Sequence, residues 1–540
     1  MSQTTYTSKR LDHHGIVAGI CKQLKLCELI DNLIPSDHRK KVTYGEAVVA
    51  MIINCLGFTS RPMYLCDEFF KNKPASLIRE DLDWSELNDD CLGRTLDKLF
   101  EVGVTEVFSH LVTRVINQLG IDIKQAHLDT SSFAVTGEYK TSESDDRDAV
   151  LITRGYSKDH RPDLKQVCLS MICEGTSNIP IWMEALDGNQ SDVKSFPETI
   201  KRFCQQLEGA DTPLIVMDAA FYSKENITAH ENLKWVTRVP DRIKAVERHY
   251  WAISEDDERW ESYGDHRFIV VNEDYAGVEQ RWVIVESAAK MARDEQALQR
   301  QIEKERKSNL KELRALSKRG FQCFADADQA LDELVKNNKF FGLSNIEIKE
   351  EKRYKGAGRP SANSSHQLVW VSSAELELDD HCVASQSHGK GRFVIATSCL
   401  DSTLNGADLI SIYKAQGSTV ERGFRFLKDP MFFADSLFLK NPSRIMALMM
   451  VMTLSLLVYS VAEKQLRDSL ANRDETIPNQ SGKPTSKPTM RRVFQMFEGV
   501  EVLLLSTPAG QQNIMMNLDD LRLKILSFMS AQVKYQYGIE

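Results

Sequence analysis

Between Ile445 and Ala462 the chain runs through IMALMMVMTLSLLVYSVA, 18 residues without a charge. Such a stretch cannot face water on any side, so it needs lipid or protein all around it. Its length touches the lower limit for a membrane span. It is a single segment, however, and Thr453, Ser455 and Ser460 interrupt it. A helix buried on every face inside a large domain fits that pattern, and 540 residues are enough to build such a core. The expectation is a thick, multilayered core and no membrane.

The chain is 42% hydrophobic and 27% charged, as soluble globular proteins are. Its formal net charge of -9 excludes a protein that holds nucleic acid by overall basicity. Any action on DNA must then rest on local positive charge or on bound cations. The 11 cysteines include no C-x-x-C pair, which suggests reduced thiols and a cytoplasmic setting. Met1 to Lys9 is polar, without the apolar centre of a signal peptide.

Residues 1–120 read as a helical N-terminal domain, suited to DNA-end binding or to dimerisation. Thr43-x-x-Glu46 is a capping box ahead of the apolar run Ala47 to Leu56. Leu92, Leu96, Leu99 and Phe100 recur at helical spacing before Gly103. Val107, Phe108, Leu111, Val112, Val115 and Ile116 do so before Gly120. The adjacent His13 and His14 have no ligand partners at metal spacing and are assigned no site.

From 121 the pattern changes to α/β. A strand ends at Asp129, and Gln166 to Ile172 and Ile179 to Leu186 are further strands. Val193 to Leu207 is a helix, a strand ends at Asp218, and Trp235 to Val239 is a fifth strand. Residues 240–404 read as a β-rich insertion, with alternating runs at Arg267–Val271 and Arg281–Val285 and a long charged helix, Ala288 to Arg319. The α/β part resumes over 405–478. A linker rich in Ser, Pro and Lys (Asn479 to Pro488) and a small C-terminal region fill 479–540.

Two apolar runs stop on an acid: His127-Leu128-Asp129 and Val216-Met217-Asp218. A strand that ends in a carboxylate holds it rigidly at the sheet edge, where a hard cation can be bound. A third acid, Glu421, lies on a later predicted helix. Three carboxylates so placed can hold two Mg2+ ions about 3.5–4 Å apart, the arrangement used for phosphoryl transfer. The spacing alone proves little in a chain with 77 acids.

The chain resembles a bacterial DDE-type insertion-sequence transposase, in the insertion sequence 4 superfamily and nearest the insertion sequence 1634 branch. The resemblance rests on His127-Leu128-Asp129-Thr130, on Arg154-Gly155-Tyr156-Ser157-Lys158-Asp159-His160-Arg161-Pro162-Asp163-Leu164-Lys165-Gln166, on Val216-Met217-Asp218-Ala219, and on Tyr413 to Gln416 with Val420 to Pro430. It implies a ribonuclease H-like mixed sheet with flanking helices, split by the β-rich insertion. It also implies Asp129, Asp218 and Glu421 as catalytic, metal-holding residues, with Mg2+ as cofactor and Mn2+ able to substitute. The implied reaction cuts the element's terminal inverted repeats and joins the 3′-hydroxyls to target DNA. A homodimer on double-stranded DNA, associated with the bacterial nucleoid, is the implied assembly.

The superfamily signature Y-x2-R-x3-E-x6-K is kept in part. Glu421 and Lys428 have the right spacing, Tyr413 is one residue too far upstream, and Gly417 stands where the Arg belongs. On a helix Lys428 falls about 20° and Arg425 about 40° from Glu421, so both share its face. Lys428, Arg425, Arg422 and Tyr413 are the expected DNA contacts on this element. Lys158, His160, Arg161 and Lys165 form a second, basic patch. The KRYKGAGRP loop at 352–360 is basic and Gly-rich, a surface turn or a groove contact. Other readings stay open on the residues alone: a nuclease of this fold that does not join ends, an inactive DNA-end-binding protein, and a membrane protein anchored through 445–462. Ser418-x-x-Glu421 also matches a capping box, which would make Glu421 a structural acid.

Overall fold

The computed structural model describes residues 5–35, 40–58, 65–137, 139, 149–159, 161–207, 211–336, 338–354, 365–430, 439–507 and 510–540. A short strand, β1 (Thr5–Arg10), precedes α1 (His14–Gln23), α2 (Leu26–Leu33), α3 (Tyr44–Cys55), α4 (Cys66–Phe70), α5 (Asp89–Val102) and α6 (Val104–Leu119). The Thr43 capping box forms. Thr43 Oγ1 accepts the Glu46 N–H at 3.1 Å, and Glu46 Oε2 accepts the Thr43 N–H at 3.0 Å. Gly120, at φ 61°, stops α6 in the left-handed region that favours glycine.

Beyond it the backbone extends. β2 (Gln125–Val135), β3 (Lys165–Glu174) and β4 (Pro180–Leu186) form an antiparallel meander. α7 (Asp192–Gln206) leads to β5 (Leu214–Met217), parallel to β2, and α8 (Lys224–Ala229) to β6 (Trp235–Val239), parallel to β5. Next come α9 (Lys244–Ala252), β7 (Glu261–Tyr263), β8 (His266–Tyr275), β9 (Val278–Ser287), α10 (Ala288–Lys318) and α11 (Phe324–Val335). β10 (Phe341–Tyr354), β11 (His366–Leu378), α12 (Asp380–Ser387) and β12 (Arg392–Thr397) follow.

The alternating runs expected at 267–271 and 281–285 are strands, but they extend the central sheet rather than form a body of their own. β12 pairs antiparallel with both β6 and β9, giving nine strands in the order β4-β3-β2-β5-β6-β12-β9-β8-β7. A β6 left at the edge would expose an unpaired backbone, and β12 covers it. α10, α11 and the β10–β11 hairpin gather around small apolar clusters of their own, such as Leu313, Leu331 and Leu334. The 352–360 loop lies outside the described residues beyond Tyr354.

α13 (Gly406–Ala415) and α14 (Val420–Leu427) follow, and then α15 (Pro442–Asn472). The most apolar stretch of α15 is 94% buried within the protein. It packs on α3, α5, α6, β4 and α14. Its hydroxyls need no water: Thr453 donates to the Met449 carbonyl at 2.8 Å and Ser455 to that of Val451 at 2.9 Å. The stretch expected to be a linker is instead a tight hairpin, β13 (Ile477–Pro478) with β14 (Pro484–Thr485). The Asn479 side chain accepts the Ser481 and Lys483 N–H groups and so closes the turn. α16 (Met490–Met496), β15 (Glu501–Thr507), β16 (Gly510–Met516), α17 (Asp520–Ser527) and α18 (Ala531–Gln536) complete the chain. β15 pairs with β1 and α18 packs on α1, so the C-terminal region is clasped to the N-terminal helices.

The His13 and His14 rings stack at 4.4 Å inside this clasp, and His13 stacks on Phe494 at 4.5 Å. Burial pushes His13 down to about 4 and His14 well below its usual value. His127, on β2, is also pushed down to about 4 by burial. A histidine harder to protonate folded than unfolded contributes full stability above pH 6.5, and loses it as pH falls toward 4. At pH 5 the His13 and His127 effects are about 2 kcal/mol each. Urea midpoints measured at pH 7.5 and pH 5 are expected to drop at the lower pH, and His13→Gln to flatten that dependence.

Candidate active site

β2 and β5 lie side by side and parallel, with His127 opposite Val216. Asp129 and Asp218 each stand two residues past that pair, Asp129 within β2 and Asp218 just beyond the end of β5. His127 and Val216, opposite one another across the ladder, share a face, and Asp129, two residues on along β2, shares it too. Asp129 Oδ1 accepts its neighbour Thr130 N–H at 2.7 Å, and Asp218 Oδ1 accepts the Ala220 N–H at 2.8 Å. The Thr237 hydroxyl donates to the Asp218 carbonyl at 2.7 Å and ties that strand end to β6.

α13 and α14 cover the same side. Asn405 starts α13 with a capping box to Asp408, and a 3-10 turn over Gln416–Ser418 breaks the helix at Gly417. The helix that carries Glu421 is thereby separate from α13. Gln416 Nε2 donates to the Leu128 carbonyl at 3.4 Å, anchoring the break on β2. α14 lies close on β3: a Cβ at Gly423 would stand 2.9 Å from Met171 Cε, and Met171 is the cross-strand partner of Asp129. Glu421, on the first turn of α14, is exposed. The Ser418 capping box does not form, because the Ser418 hydroxyl donates to the Ala415 carbonyl. Tyr413 is half-buried on α13. Burial pushes its phenol up to about 12, with the Asp218 and Glu421 charges adding to that rise. One ring thus feels two of the three acids.

The basic residues are placed differently from the sequence expectation. Arg422 forks onto the buried Glu463 of α15, Nη1 to Oε1 at 2.7 Å and Nη2 to Oε2 at 2.8 Å. Glu463 also meets Arg467 at 2.9 Å and the Met490 N–H at 3.1 Å. This acid follows the charge-free run, and nothing in its sequence position marks it as a partner for Arg422. Arg425 reaches back to the Gly417 carbonyl at 2.7 Å. Lys428 meets Asp159 at 2.8 Å, and Arg161 meets Asp163 at 2.8 Å. Lys165 donates to the Tyr139 carbonyl. The Lys158 ammonium lies 3.6 Å from Asp129. His160 is outside the described residues.

The strand expected to end at Asp129 runs on to Val135, so Asp129 stands within β2 and only Asp218 follows a strand end. Carboxylate oxygens so held, with one on a helix, are the donors a divalent cation takes, and the ammonium beside Asp129 shows that a positive charge is accommodated there. Among the described residues no three His, Cys, Asp or Glu side chains are gathered closely enough to hold a metal ion, so the structure does not bring Asp129, Asp218 and Glu421 together as one ligand set.

A family model described as Transposase DDE domain matches residues 128–458, well over half of the chain. A second, Domain of unknown function (DUF4277), matches residues 6–113. No curated protein matches. Among solved structures the chain is similar to a piggyBac transposase synaptic complex with hairpin DNA, at 11% identity and a TM-score of 0.36, over 89% of this chain and 77% of that one. A likeness so distant carries no argument.

The Arg422–Glu463 fork yields a test. Arg422→Met should cost about 2 kcal/mol in urea denaturation, because Glu463 loses one of two cations in a buried place. The slope of DNA affinity against salt should stay unchanged, whereas losing a phosphate contact would lower it by about one.

Proposed function

The chain belongs to the Transposase DDE domain family, and from that premise we propose that it is an insertion-sequence transposase that cuts its element's ends and joins the 3′-hydroxyls to target DNA. The observation that carries this is the parallel pairing of β2 with β5, which sets Asp129 and Asp218 each two residues past one pair, with α14, the helix of Glu421, packed against Met171, the cross-strand partner of Asp129. A ribonuclease H-like domain is supported by the meander β4-β3-β2 continued by the parallel strands β5 and β6. The insertion sequence 4 superfamily and its 1634 branch rest on the motifs quoted above, and on the kept spacing of Glu421 and Lys428.

Asp129, Asp218 and Glu421 would hold Mg2+, which when bound supplies a Lewis acid for the attacking and leaving oxygens at phosphorus. The rest is work for this chain's own groups. β2 and the end of β5 fix two carboxylates, so little ordering is needed when DNA arrives. Gly417 and Gly423 let α14 turn and lie close, which sets Glu421. Arg425 on α14 and Lys428 at its end follow Glu421 at helical spacing, suited to hold a phosphodiester beside it. The partners on this reading are terminal inverted repeats and a target duplex, met by a homodimer in the cytoplasm. The N-terminal helices are then the module that binds ends or pairs subunits.

Cleavage and joining are measured on DNA that flanks the coding region, with Mg2+, for wild type, Asp129→Asn, Asp218→Asn and Glu421→Gln. Loss of an outer partner of a metal ligand costs on the order of 10–100-fold, so loss of a ligand should cost at least about 100-fold. Each variant should still bind DNA. Cutting without joining by the wild type would replace this reading with a nuclease. Equal binding with no cutting by any protein would leave a DNA-end-binding protein.

A further inference from the structure

Lys158 and Asp159 are consecutive and make opposite contacts. The Lys158 ammonium lies 3.6 Å from Asp129 Oδ1 and also donates to the Thr130 carbonyl. Its backbone N–H donates to Ser132 Oγ at 3.2 Å, which seats the loop along β2. Asp159 receives Lys428 Nζ on both carboxylate oxygens, at 2.8 and 2.9 Å. Lys428 Nζ also stands 5.4 Å from the ring centre of Phe133, on the same strand as Asp129. One dipeptide thus places a positive charge on an acid of the site and a negative charge on a base of the site. A divalent cation at Asp129 and a phosphodiester at Lys428 would put the same signs in the same places.

We propose that Lys158–Asp159 is an internal surrogate for the loaded site: Lys158 holds the cation seat at Asp129, and Asp159 holds the phosphate seat at Lys428, until metal and DNA displace them. This rests on the metal and DNA reading above. The contacts are strong enough to form and weak enough to exchange. The Lys428 and Asp159 side chains are 24% and 42% exposed, so water and salt screen their attraction. At Asp129 an ammonium brings one charge and hydrogen bonds, whereas a divalent ion brings two charges and can draw in further carboxylates. Because the two residues are adjacent, releasing one contact loosens the other. Cation and DNA then favour each other's binding by the same factor, as linkage requires.

The test uses the full chain and two binding measurements that need no turnover. Mn2+ binding is followed by its electron paramagnetic resonance signal. Binding of a fluorescent duplex of arbitrary sequence is followed by anisotropy, in EDTA and in Mn2+. Asp159→Asn should tighten duplex binding in EDTA about threefold to fivefold, and Lys428→Met should remove that gain. Lys158→Met should tighten Mn2+ binding at least about fivefold, since a like charge leaves the seat. In wild type Mn2+ should tighten duplex binding, and the double variant should lose that coupling. Melting curves confirm folding, with Lys158→Gln and Asp159→Ser as second variants. Unchanged or weakened binding in the single variants overturns the surrogate. If Asp129→Asn abolishes Mn2+ binding while Lys158→Met leaves it unchanged, the metal reading stands and the surrogate falls. If Asp129→Asn binds Mn2+ as wild type does, the metal reading falls and takes the cation half with it.

Discussion

The charge-free run of α15 has to be surrounded, and surrounding it ties the rest of the molecule together. The N-terminal helices α3, α5 and α6 cover part of it, β4 covers another part, and α14 lies on it near the site. A helix on the surface could have been built from local sequence alone. This one is stable only when distant parts of the chain have arrived. It also carries a specific contact into the site. Glu463 is buried just past the apolar run and can be accommodated only with partners. Arg422, Arg467 and the Met490 N–H supply them, so the residue next to Glu421 is fixed from below. Core packing and the aim of the third acid are in this way one structural problem.

A second constraint acts from the sheet. Parallel pairing of β2 with β5 decides the relative height of Asp129 and Asp218, and a slip of one residue would turn one of them to the other face. The register is held by β5 facing two cores at once, with Ile215 and Met217 in one cluster and Leu214 and Val216 in the other. Each alternation would bury a wrong side chain if it slipped. The sheet then continues past β6 into β12, β9 and β8, so β5 and β6 lie in its interior, away from a fraying edge.

What could be read from sequence follows the range of the interactions. The capping box at Thr43, the stop at Gly120, the strands around Asp129 and Asp218 and the buried α15 all depend on local pattern, and each is seen in the structure. The break at Gly417 is anchored by Gln416 reaching Leu128, 288 residues earlier, which no local pattern shows. The hairpin at 479–485 was hidden because Ser, Pro and Lys read alike in a linker and in a tight turn closed by Asn479. The continuation of the sheet through β12 depends on partners about 160 residues apart, for which a single sequence carries no signal. The same holds for the partners of the basic residues. Helical geometry puts Lys428 and Arg425 on the face of Glu421, yet it cannot show Asp159 on one or the Gly417 carbonyl on the other.

The net charge of -9 looks at odds with a DNA substrate, and the contacts at the site reconcile the two. Lys158, Arg161, Arg422 and Lys428 each face an acid: Asp129, Asp163, Glu463 and Asp159. A patch that reads as basic in sequence is therefore close to neutral in the folded chain, and long-range attraction for DNA is weak. Two of these pairs include a member at the candidate site, and both are partly exposed. The pair at Glu463 is the opposite case, with its acid 6% exposed and its guanidinium forked onto it. The three cations are similarly exposed, at 33%, 30% and 24% for Lys158, Arg422 and Lys428, and it is the acids that differ, Glu463 being the most buried. On the proposed reading Lys158 and Lys428 exchange partners, and the positive charge that DNA needs is released at the candidate site only as another cation takes the place of Lys158.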